Sequence, residues 1–441
     1  MANTEKKHVA IFVFPGGSHP FSVFNLVLKL AHQAPNLEFS FINTEQSNEP
    51  FLSEPHVPRN IRFYNIGDGV PKGHFFLQSA SKNLKMGIDL AVAETKLKVS
   101  CIIRDAFVTP SLPVAQHLNV PWVAVWVPNS YSLSTHFHTD LIRQKCANDT
   151  TGHTPLDFIP GLSNMCVQDL SKDVIIKDGG DEEETLFSKA LASMSTVLPQ
   201  AKAVVVNGFE ELDPPLLVQD MKSKLQSLLY ICSQALSLSV PLPPSDTDGT
   251  GCLSWLDKQS PKSVAYVAFG TTVPPPHELV AVAEALEESG FPFLWSLKDH
   301  LKGVLPSGFL ERTKGRGKIV AWAPQSQVLG HRSVGVHVTH CGCNSVFESI
   351  SNGVPMVCRP LIGDNWMMGR IVESVWEIGV RVEGGVFSKN GLMKSLKLIM
   401  VQEEGKKIKE NILKVKRTVL DASGPEGKAT QDLKTLESSL W

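Results

Sequence analysis

The sequence lacks any continuous apolar stretch of the ~18 residues that a membrane-spanning helix requires. It also lacks the apolar core of a secretory signal, because only MANTEKK precedes the strand-like segment HVAIFVF. Without a span or a signal, we expect a soluble cytoplasmic protein.

An excess of one charge is missing as well. The 441 residues include 42 Lys and Arg against 44 Asp and Glu, which gives a formal net charge of −2. No stripe of basic residues interleaved with aromatics stands out, and this argues against nucleic acid as a partner. We interpret the lysine-rich segments 406–409 and 414–417 as a solvated helix face.

The eight cysteines lack both the density of a secreted disulfide scaffold and the paired CxxC spacing of a zinc site. Cys341 and Cys343 lie close together, but no further cysteine or histidine is spaced to complete a ligand set. The sequence therefore predicts no metal site and no bound cofactor.

The length of the chain and its alternating segments predict an α/β protein of two domains. Strand-like runs alternate with helical ones in both halves, which is typical of parallel sheets. The predicted strands are 8–14, 38–43, 61–66, 101–104, 122–126 and 203–206 in the first half, and 264–269, 293–297, 318–321, 334–338 and 356–358 in the second.

A segment rich in Ser, Pro, Gly and Asp separates the two halves. We predict a first domain over 1–232, a linker over 233–251, a second domain over 252–427 and a last helix over 428–441 that crosses back to the first domain. The linker contains Asp246 and Asp248 in a DxD pattern, which we interpret as polar linker because a metal-binding DxD belongs at a sheet edge. The acidic run 181–184 is likewise interpreted as solvated surface.

The segment from Trp322 to Asn365 carries most of the functional signal. A buried strand over 334–338 leads through a tight turn into a helix over 344–352. In a parallel sheet, ligands bind beyond the carboxyl ends of the strands, and a helix N-terminus there favours an anion such as phosphate.

Side chains around this turn suit a nucleotide. His340, Asn344 and Ser345 are placed to contact a phosphate, and Glu348, one helical turn further along, is placed to accept from ribose hydroxyls. Trp322 offers a flat face for a base, while Gln325 offers an amide to its edge.

The same segment closes on Gly363, Asp364 and Asn365, a carboxylate beside an amide. This pair suits a polyol better than a phosphate.

These residues resemble, in order and spacing, the signature segment of the plant family 1 UDP-sugar glycosyltransferases: WxPQ, THCGxNS, ExxxxGVP and GD. The resemblance implies the GT-B fold, in which two Rossmann-like domains with parallel sheets face an interdomain cleft. It also implies that a UDP-sugar is a co-substrate and that no cofactor is needed. We expect the protein to be a monomer. The donor-binding residues that it implies are Thr271, Trp322, Ala323, Gln325, His340, Gly342, Cys343, Asn344, Ser345, Glu348, Asp364 and Asn365.

The first strand-loop contains His19, which by itself is more often structural than catalytic. Family members carry their catalytic histidine in this loop and an aspartate that pairs with it after a later strand, which is the position of Asp105 here. An imidazole held by a carboxylate is a suitable proton acceptor for a phenolic hydroxyl near neutral pH. The resemblance thus implies inverting transfer to a hydroxyl, giving a β-glycoside from an α-linked donor.

Segments along nearly the whole chain resemble the flavonoid 3-O-glucosyltransferase branch, which acts on anthocyanidins and flavonols. By this resemblance the donor is UDP-glucose, and Asn129 and Asp169 are candidate contacts to the acceptor.

Two positions that contact the donor sugar in the family depart from its pattern, since Cys343 stands where tryptophan is usual and Asn365 stands where glutamine is usual. Ser22 also replaces a usual proline, and the segment 73–79 passes into a helix where relatives have a longer loop.

Two alternatives follow from the residues. A weakly active or non-catalytic paralogue that retains UDP-sugar binding is one, because both departures fall at positions that contact the donor sugar. A nicotinamide-dependent oxidoreductase is the other, and it is disfavoured because Pro15–Ser18 after the first strand lacks the GxGxxG spacing.

Overall fold

The structure, a computed structural model, describes residues 6–52, 57–67, 73–175, 186–232 and 249–440. The chain divides into two compact units, which we name unit 1 (Met1–Leu236 and Ala422–Trp441) and unit 2 (Ser237–Asp421). Residues 233–248 of the predicted linker, with its DxD pattern, and the acidic run 181–184 lie outside the described residues.

Unit 1 contains a parallel sheet of seven strands among the residues described. Its order is β3-β2-β1-β4-β5-β6-β7, so the direction of strand addition reverses between β1 and β4. Apart from the edge strand β3, the strands are almost fully buried, as a sheet covered on both faces requires. They are β1 (Lys7–Phe12), β2 (Leu37–Asn43), β3 (Ile61–Asn65), β4 (Val99–Asp105), β5 (Trp122–Trp126), β6 (Ala203–Val206) and β7 (Leu228–Tyr230).

Helices connect these strands and cover the sheet. The helices of this part of unit 1 are α1 (His19–Gln33), α2 (Glu45–Leu52), α3 (Gly73–Thr95), α4 (Leu112–Leu118), α5 (Ser130–Phe137), α6 (Thr139–Lys145), α7 (Lys172–Ile175), α8 (Leu186–Ala192), α9 (Met194–Val197) and α10 (Pro215–Lys224).

Unit 2 repeats the principle with six parallel strands in its described part, in the order β10-β9-β8-β11-β12-β13. Here the direction of strand addition reverses between β8 and β11. The strands are β8 (Val264–Ala268), β9 (Phe293–Ser296), β10 (Gly317–Val320), β11 (Val334–Thr339), β12 (Met356–Cys358) and β13 (Gly379–Arg381). The helices are α11 (Cys252–Leu256), α12 (Pro276–Ser289), α13 (Phe309–Thr313), α14 (Gln325–Gly330), α15 (Cys343–Asn352), α16 (Asn365–Arg370), α17 (Lys389–Met400) and α18 (Glu404–Ala422).

The last helix, α19 (Lys428–Ser439), belongs to unit 1. Its apolar residues Leu433 and Leu436 join the core beneath the seven-stranded sheet. Asp432 is buried and accepts a hydrogen bond at 2.9 Å from the backbone N–H of Tyr230, at the end of β7. The chain therefore returns to the unit in which it began.

The predicted class, two α/β domains with parallel sheets, is confirmed. The sequence did not predict β7 and β13, because three residues at a sheet edge are too few to show a period. Within the described ranges, no helix is both long enough and apolar enough to cross a bilayer.

Both reversals matter for the site. At such a reversal the loops after the two central strands diverge and leave room for a ligand beyond their carboxyl ends. In unit 1 the segment that follows β1 carries His19 and β4 ends in Asp105, and in unit 2 the segments that follow β8 and β11 carry Thr271 and His340.

Candidate functional site

His19 and Asp105 meet at the reversal point of unit 1. Nδ1 of His19 lies 2.6 Å from Oδ2 of Asp105. The Asp105 side chain is fully buried, whereas 13% of the His19 side chain is exposed. With Nδ1 occupied by the carboxylate, Nε2 is the ring nitrogen left to act on a ligand.

Local structure fixes both partners. Asp105 ends β4 and accepts hydrogen bonds from the backbone N–H of Phe107 at 2.9 Å and of Phe14 at 3.4 Å. His19 is the first residue of α1, which follows a turn with Gly17 at a φ of 58°. The sequence placed His19 in a loop, whereas in the structure it begins the helix, because Pro20 is favourable in a first turn.

Aromatic rings surround the imidazole. The Phe107 ring centroid lies 4.5 Å from that of His19, and the Phe14 ring lies 5.5 Å away. Phe187 and Trp126 each pack on Phe107 at 5.4 Å. We name Phe14, Phe107, Trp126 and Phe187 the aromatic wall.

The aromatic wall was missed from the sequence, because its members come from four separate segments of the chain. An alternation signal marks a buried strand, but it does not show which rings converge on one histidine.

The two residues predicted to contact the acceptor are enclosed in unit 1. Asn129 is buried and caps α5, with its Oδ1 accepting from the backbone N–H of Ser132 at 2.9 Å. Asp169 is fully buried and accepts from the backbone N–H of Cys166 at 3.0 Å. The Asn129 carboxamide oxygen and the Asp169 carboxylate oxygen thus accept hydrogen bonds from nearby backbone groups. The role of these residues in binding the acceptor stays a prediction.

In unit 2, the turn between β11 and α15 presents a helix N-terminus. Cys341 adopts a φ of 65°, Gly342 is the N-cap residue and Cys343 begins the helix. The N–H groups of a first helical turn have no partner within the helix and favour an anion. The predicted phosphate contacts Asn344 and Ser345 lie in this turn.

His340 is packed between two glycines. A Cβ added at Gly342 would lie 2.4 Å from Nε2 of His340, and one added at Gly270 would lie 2.8 Å from its Cε1. Burial lowers the pKa of His340 to about 4, so the imidazole is neutral near pH 7. Its Nδ1 is buried and has no hydrogen-bond partner among the described residues, as expected of a group shaped for a ligand.

Glu348 lies in a hydrogen-bond network on α15. Ser326 Oγ donates to its Oε1 at 2.6 Å, and Gln325 Nε2 donates to its Oε2 at 2.5 Å and to Ser345 Oγ at 2.9 Å. Tyr266 OH lies 3.4 Å from the Gln325 oxygen. Burial raises the pKa of Glu348, although the hydrogen bonds from Ser326 and Gln325 oppose the shift.

The sequence assigned the Gln325 amide to the edge of a base. In the structure its nitrogen donates to Glu348 and Ser345, and the contact with a base stays a prediction. Ser326 and Tyr266 were not singled out from the sequence, although Ser326 lies directly beside Gln325.

The remaining predicted donor residues lie on loops of the same sheet. Trp322 follows β10 with 65% of its surface exposed, while Ala323 beside it is buried. Thr271 is exposed in the loop after β8. Asp364 is the N-cap residue of α16 and Asn365 begins that helix, with only 6% of its surface exposed.

Comparison with known proteins places the chain in a family. The sequence model described as UDP-glucoronosyl and UDP-glucosyl transferase matches residues 73–423. The chain belongs to this family. It is therefore a UDP-dependent glycosyltransferase. Within the described residues, no group of three or more His, Cys, Asp or Glu side chains is arranged to hold a metal ion.

Individual members of the UDP-glycosyltransferase family match nearly end to end. A crystal structure of a UDP-glucose:anthocyanidin 3-O-glucosyltransferase in complex with UDP shares 57% identity, with a TM-score of 0.92 over 100% of this chain and 99% of that one. The flavonol 3-O-glucosyltransferase of Actinidia chinensis var. chinensis is 45% identical over 97% of this chain and 96% of its own. The anthocyanidin 3-O-galactosyltransferase of Rhododendron delavayi is 44% identical over 98% and 96%. The resemblance to the flavonoid branch and to the GT-B fold is thus confirmed.

Proposed function

We propose that the protein transfers glucose from UDP-glucose to the 3-hydroxyl of a flavonoid, an anthocyanidin or a flavonol, with inversion at the anomeric carbon. The relatives named above that carry out 3-O-glycosyl transfer to such acceptors support this proposal. The observation that carries it is the 2.6 Å contact between His19 and Asp105 beside the aromatic wall.

In this proposal His19 is the general base. The acceptor hydroxyl gives its proton to Nε2 of His19 while its oxygen attacks the anomeric carbon, and the bond from that carbon to UDP breaks with the electron pair leaving on UDP. Asp105 holds the imidazole in the required tautomer and stabilises the imidazolium that forms. The aromatic wall provides the stacking surface that a flat polycyclic acceptor needs.

Unit 2 provides the donor site in the same proposal. Trp322 stacks on uracil, and Glu348, held by Gln325 and Ser326, accepts from the ribose hydroxyls. The first turn of α15, with neutral His340 beside it, stabilises the charge that develops on departing UDP. The protein needs no metal or cofactor for this step and works as a cytoplasmic monomer.

The sugar itself is assigned to Asp364, Asn365 and the neighbourhood of Cys343. Of two relatives with similar identity to this chain, one is named a glucosyltransferase and the other a galactosyltransferase. We therefore expect these residues to determine which sugar is transferred.

A product assay tests the proposal. Purified protein is incubated with UDP-glucose, UDP-galactose or UDP-xylose against cyanidin, kaempferol and quercetin, and the products are identified by mass and by the position and configuration of the linkage. We expect the 3-O-β-glucoside with UDP-glucose as the preferred donor. Retained UDP binding with no product across the panel would refute the assignment.

A further inference from the structure

A buried ion pair lies beneath the donor loops of unit 2. Arg359 donates from Nε to Oε2 of Glu278 at 2.8 Å and from Nη2 to Oε1 at 2.6 Å, which is a bidentate arrangement. The Arg359 side chain is 8% exposed and that of Glu278 is 1% exposed. Burial opposes the charge of Glu278, but the hydrogen bonds from Arg359 and the Phe387 N–H hold its pKa below the usual value.

The pair joins segments that are distant in sequence. Glu278 lies in the first turn of α12, the helix that follows the loop bearing Thr271. Its Oε2 also accepts from the backbone N–H of Phe387 at 2.8 Å, so the carboxylate ties α12 to a third segment.

Arg359 follows β12 and begins the loop that ends in Asp364 and Asn365. Its Nη1 donates to the carbonyl of Pro360, and its guanidinium lies 5.9 Å from the ring centroid of Trp366 in α16. Its backbone N–H donates to the carbonyl of Thr339 at 2.9 Å, one residue before His340.

The guanidinium of Arg359 therefore bonds to the carbonyl of Pro360 near the start of the loop 359–365 and lies over the ring of Trp366, the residue that follows the loop. The loop is closely packed as well, since Pro360 Cγ would lie 2.6 Å from a Cβ added at Gly369.

Stability alone gives no reason for this arrangement. Removing two charges from water carries a large desolvation penalty, and apolar residues of the same volume often stabilise a core as well or better. A planar, bidentate pair instead fixes orientation, which a site that must hold a polyol to within about 0.5 Å requires.

We propose that Arg359 and Glu278 are positioning residues that set the geometry of the sugar subsite formed by Asp364 and Asn365. The proposal rests on the donor roles proposed above. The ion pair does not contact the sugar. It holds the loop 359–365, which contacts the sugar, in a fixed conformation. Uridine and ribose are held by Trp322 and Glu348 on other loops, so loosening the pair should weaken binding of the sugar more than binding of the nucleotide.

The test compares binding of UDP with binding of UDP-glucose by calorimetry. Arg359→Lys keeps the positive charge but removes the pair of parallel N–H donors. We expect this variant to bind UDP-glucose about tenfold more weakly, while its affinity for UDP stays within about twofold of wild type. Glu278→Asp, which keeps the charge on a shorter arm, should show the same divergence.

The chain offers a matched control on the same helix. Glu287, near the other end of α12, also forms a bidentate pair, at 2.5 and 3.0 Å, with Arg312 of α13, but this pair lies at the surface. Arg312→Lys and Glu287→Asp should leave both affinities at the wild-type value.

A parallel loss of both affinities in Arg359→Lys and Glu278→Asp, or no loss in either, would overturn the proposal. Should both variants fail to fold, amide hydrogen exchange of the wild-type protein decides. UDP-glucose should slow exchange beyond the effect of UDP at 359–365 and also at the start of α12 and near Phe387, and protection confined to 359–365 would contradict the coupling. These readouts need no acceptor, so they stand apart from a failure of the proposed flavonoid transfer.

Discussion

The two units build their sites at the same place in a sheet but with different chemistry. In unit 1 the loops after β1 and β4 bring together an imidazole and a carboxylate 2.6 Å apart, lined by aromatic rings. In unit 2 the loops after β8 and β11 bring together a helix N-terminus, a neutral histidine and a hydrogen-bonded carboxylate.

Burial explains the difference. Burial keeps His340 neutral by lowering its pKa to about 4, and it raises the pKa of Glu348. An uncharged imidazole and a carboxyl group held by hydrogen bonds suit the binding of a nucleotide. His19 keeps an exposed edge and a carboxylate partner, which suits a group that must take up a proton. In our proposal, the same sheet topology therefore supports proton transfer in unit 1 and nucleotide binding in unit 2.

Removal of the imidazole in unit 1 should have the largest effect. We expect His19→Ala to lower kcat by about 10²–10⁴-fold, because the proposed mechanism loses the imidazole that accepts the proton, while UDP affinity stays unchanged. His32→Ala, at the exposed end of the same helix, is the control and should behave as wild type. Steady-state kinetics with calorimetric UDP binding checks both, and a His19→Ala enzyme with normal kcat would remove unit 1 from the chemistry.

Loss of the stacking ring in unit 2 should produce the opposite pattern. Trp322 is 65% exposed, so Trp322→Ala should leave the melting temperature unchanged. We expect UDP to bind about 10–100-fold more weakly, since stacking on a base contributes about 1–3 kcal/mol. Trp322→Phe should recover part of the affinity. If Trp322→Ala bound UDP as tightly as wild type, the base would lie elsewhere.

Acid should destabilise the protein through histidines that are buried in the neutral form. His337 in β11 stacks on Tyr266 and bonds to Ser349, and burial lowers its pKa to about 3 from the 6.5 of an exposed histidine. The unfolded chain therefore binds this proton first, so the stability is present above pH 6.5 and falls as the pH drops toward 3. Between pH 7 and pH 5 this group should remove up to about 2 kcal/mol of unfolding free energy.

The check is denaturant unfolding at both pH values. His337→Gln should lose less stability than wild type over this interval, whatever its stability at pH 7, while His32→Gln should lose as much as wild type. Equal losses in wild type and His337→Gln would show that this imidazole does not contribute.

The smallest effect is expected at Asn365. Its amide is one methylene shorter than the glutamine that the resembled family carries, and an unmade buried hydrogen bond costs about 1–3 kcal/mol. We expect Asn365→Gln to raise kcat/KM for UDP-glucose by about three- to tenfold, with the KM for the acceptor unchanged. No rise would mean that the shorter amide does not limit glucose transfer.

The two sites were not equally predictable from the sequence. Most of the proposed donor site lies in one segment, from Trp322 to Asn365, and the strand, turn and helix of that segment could be predicted from local patterns. Glu348 was placed correctly on α15, but its partners Ser326 and Tyr266 were not found, since side-chain contacts across a sheet leave no period.

In unit 1 the two partners lie 86 positions apart, so only the resemblance joined them. The aromatic wall and the pair of Arg359 with Glu278 were missed for the same reason. Each member alone appears as an ordinary apolar or charged residue, and packing alone brings them together.

The central claim is that unit 1 performs the chemistry on a sugar nucleotide that unit 2 holds. Asp105→Asn tests it most directly, through the dissociation constant of UDP-glucose and the rate of a single turnover with bound donor and a flavonol. We predict an unchanged dissociation constant and a rate lower by at least about 100-fold, because the amide no longer fixes the imidazole tautomer. A single-turnover rate equal to that of wild type would contradict the account.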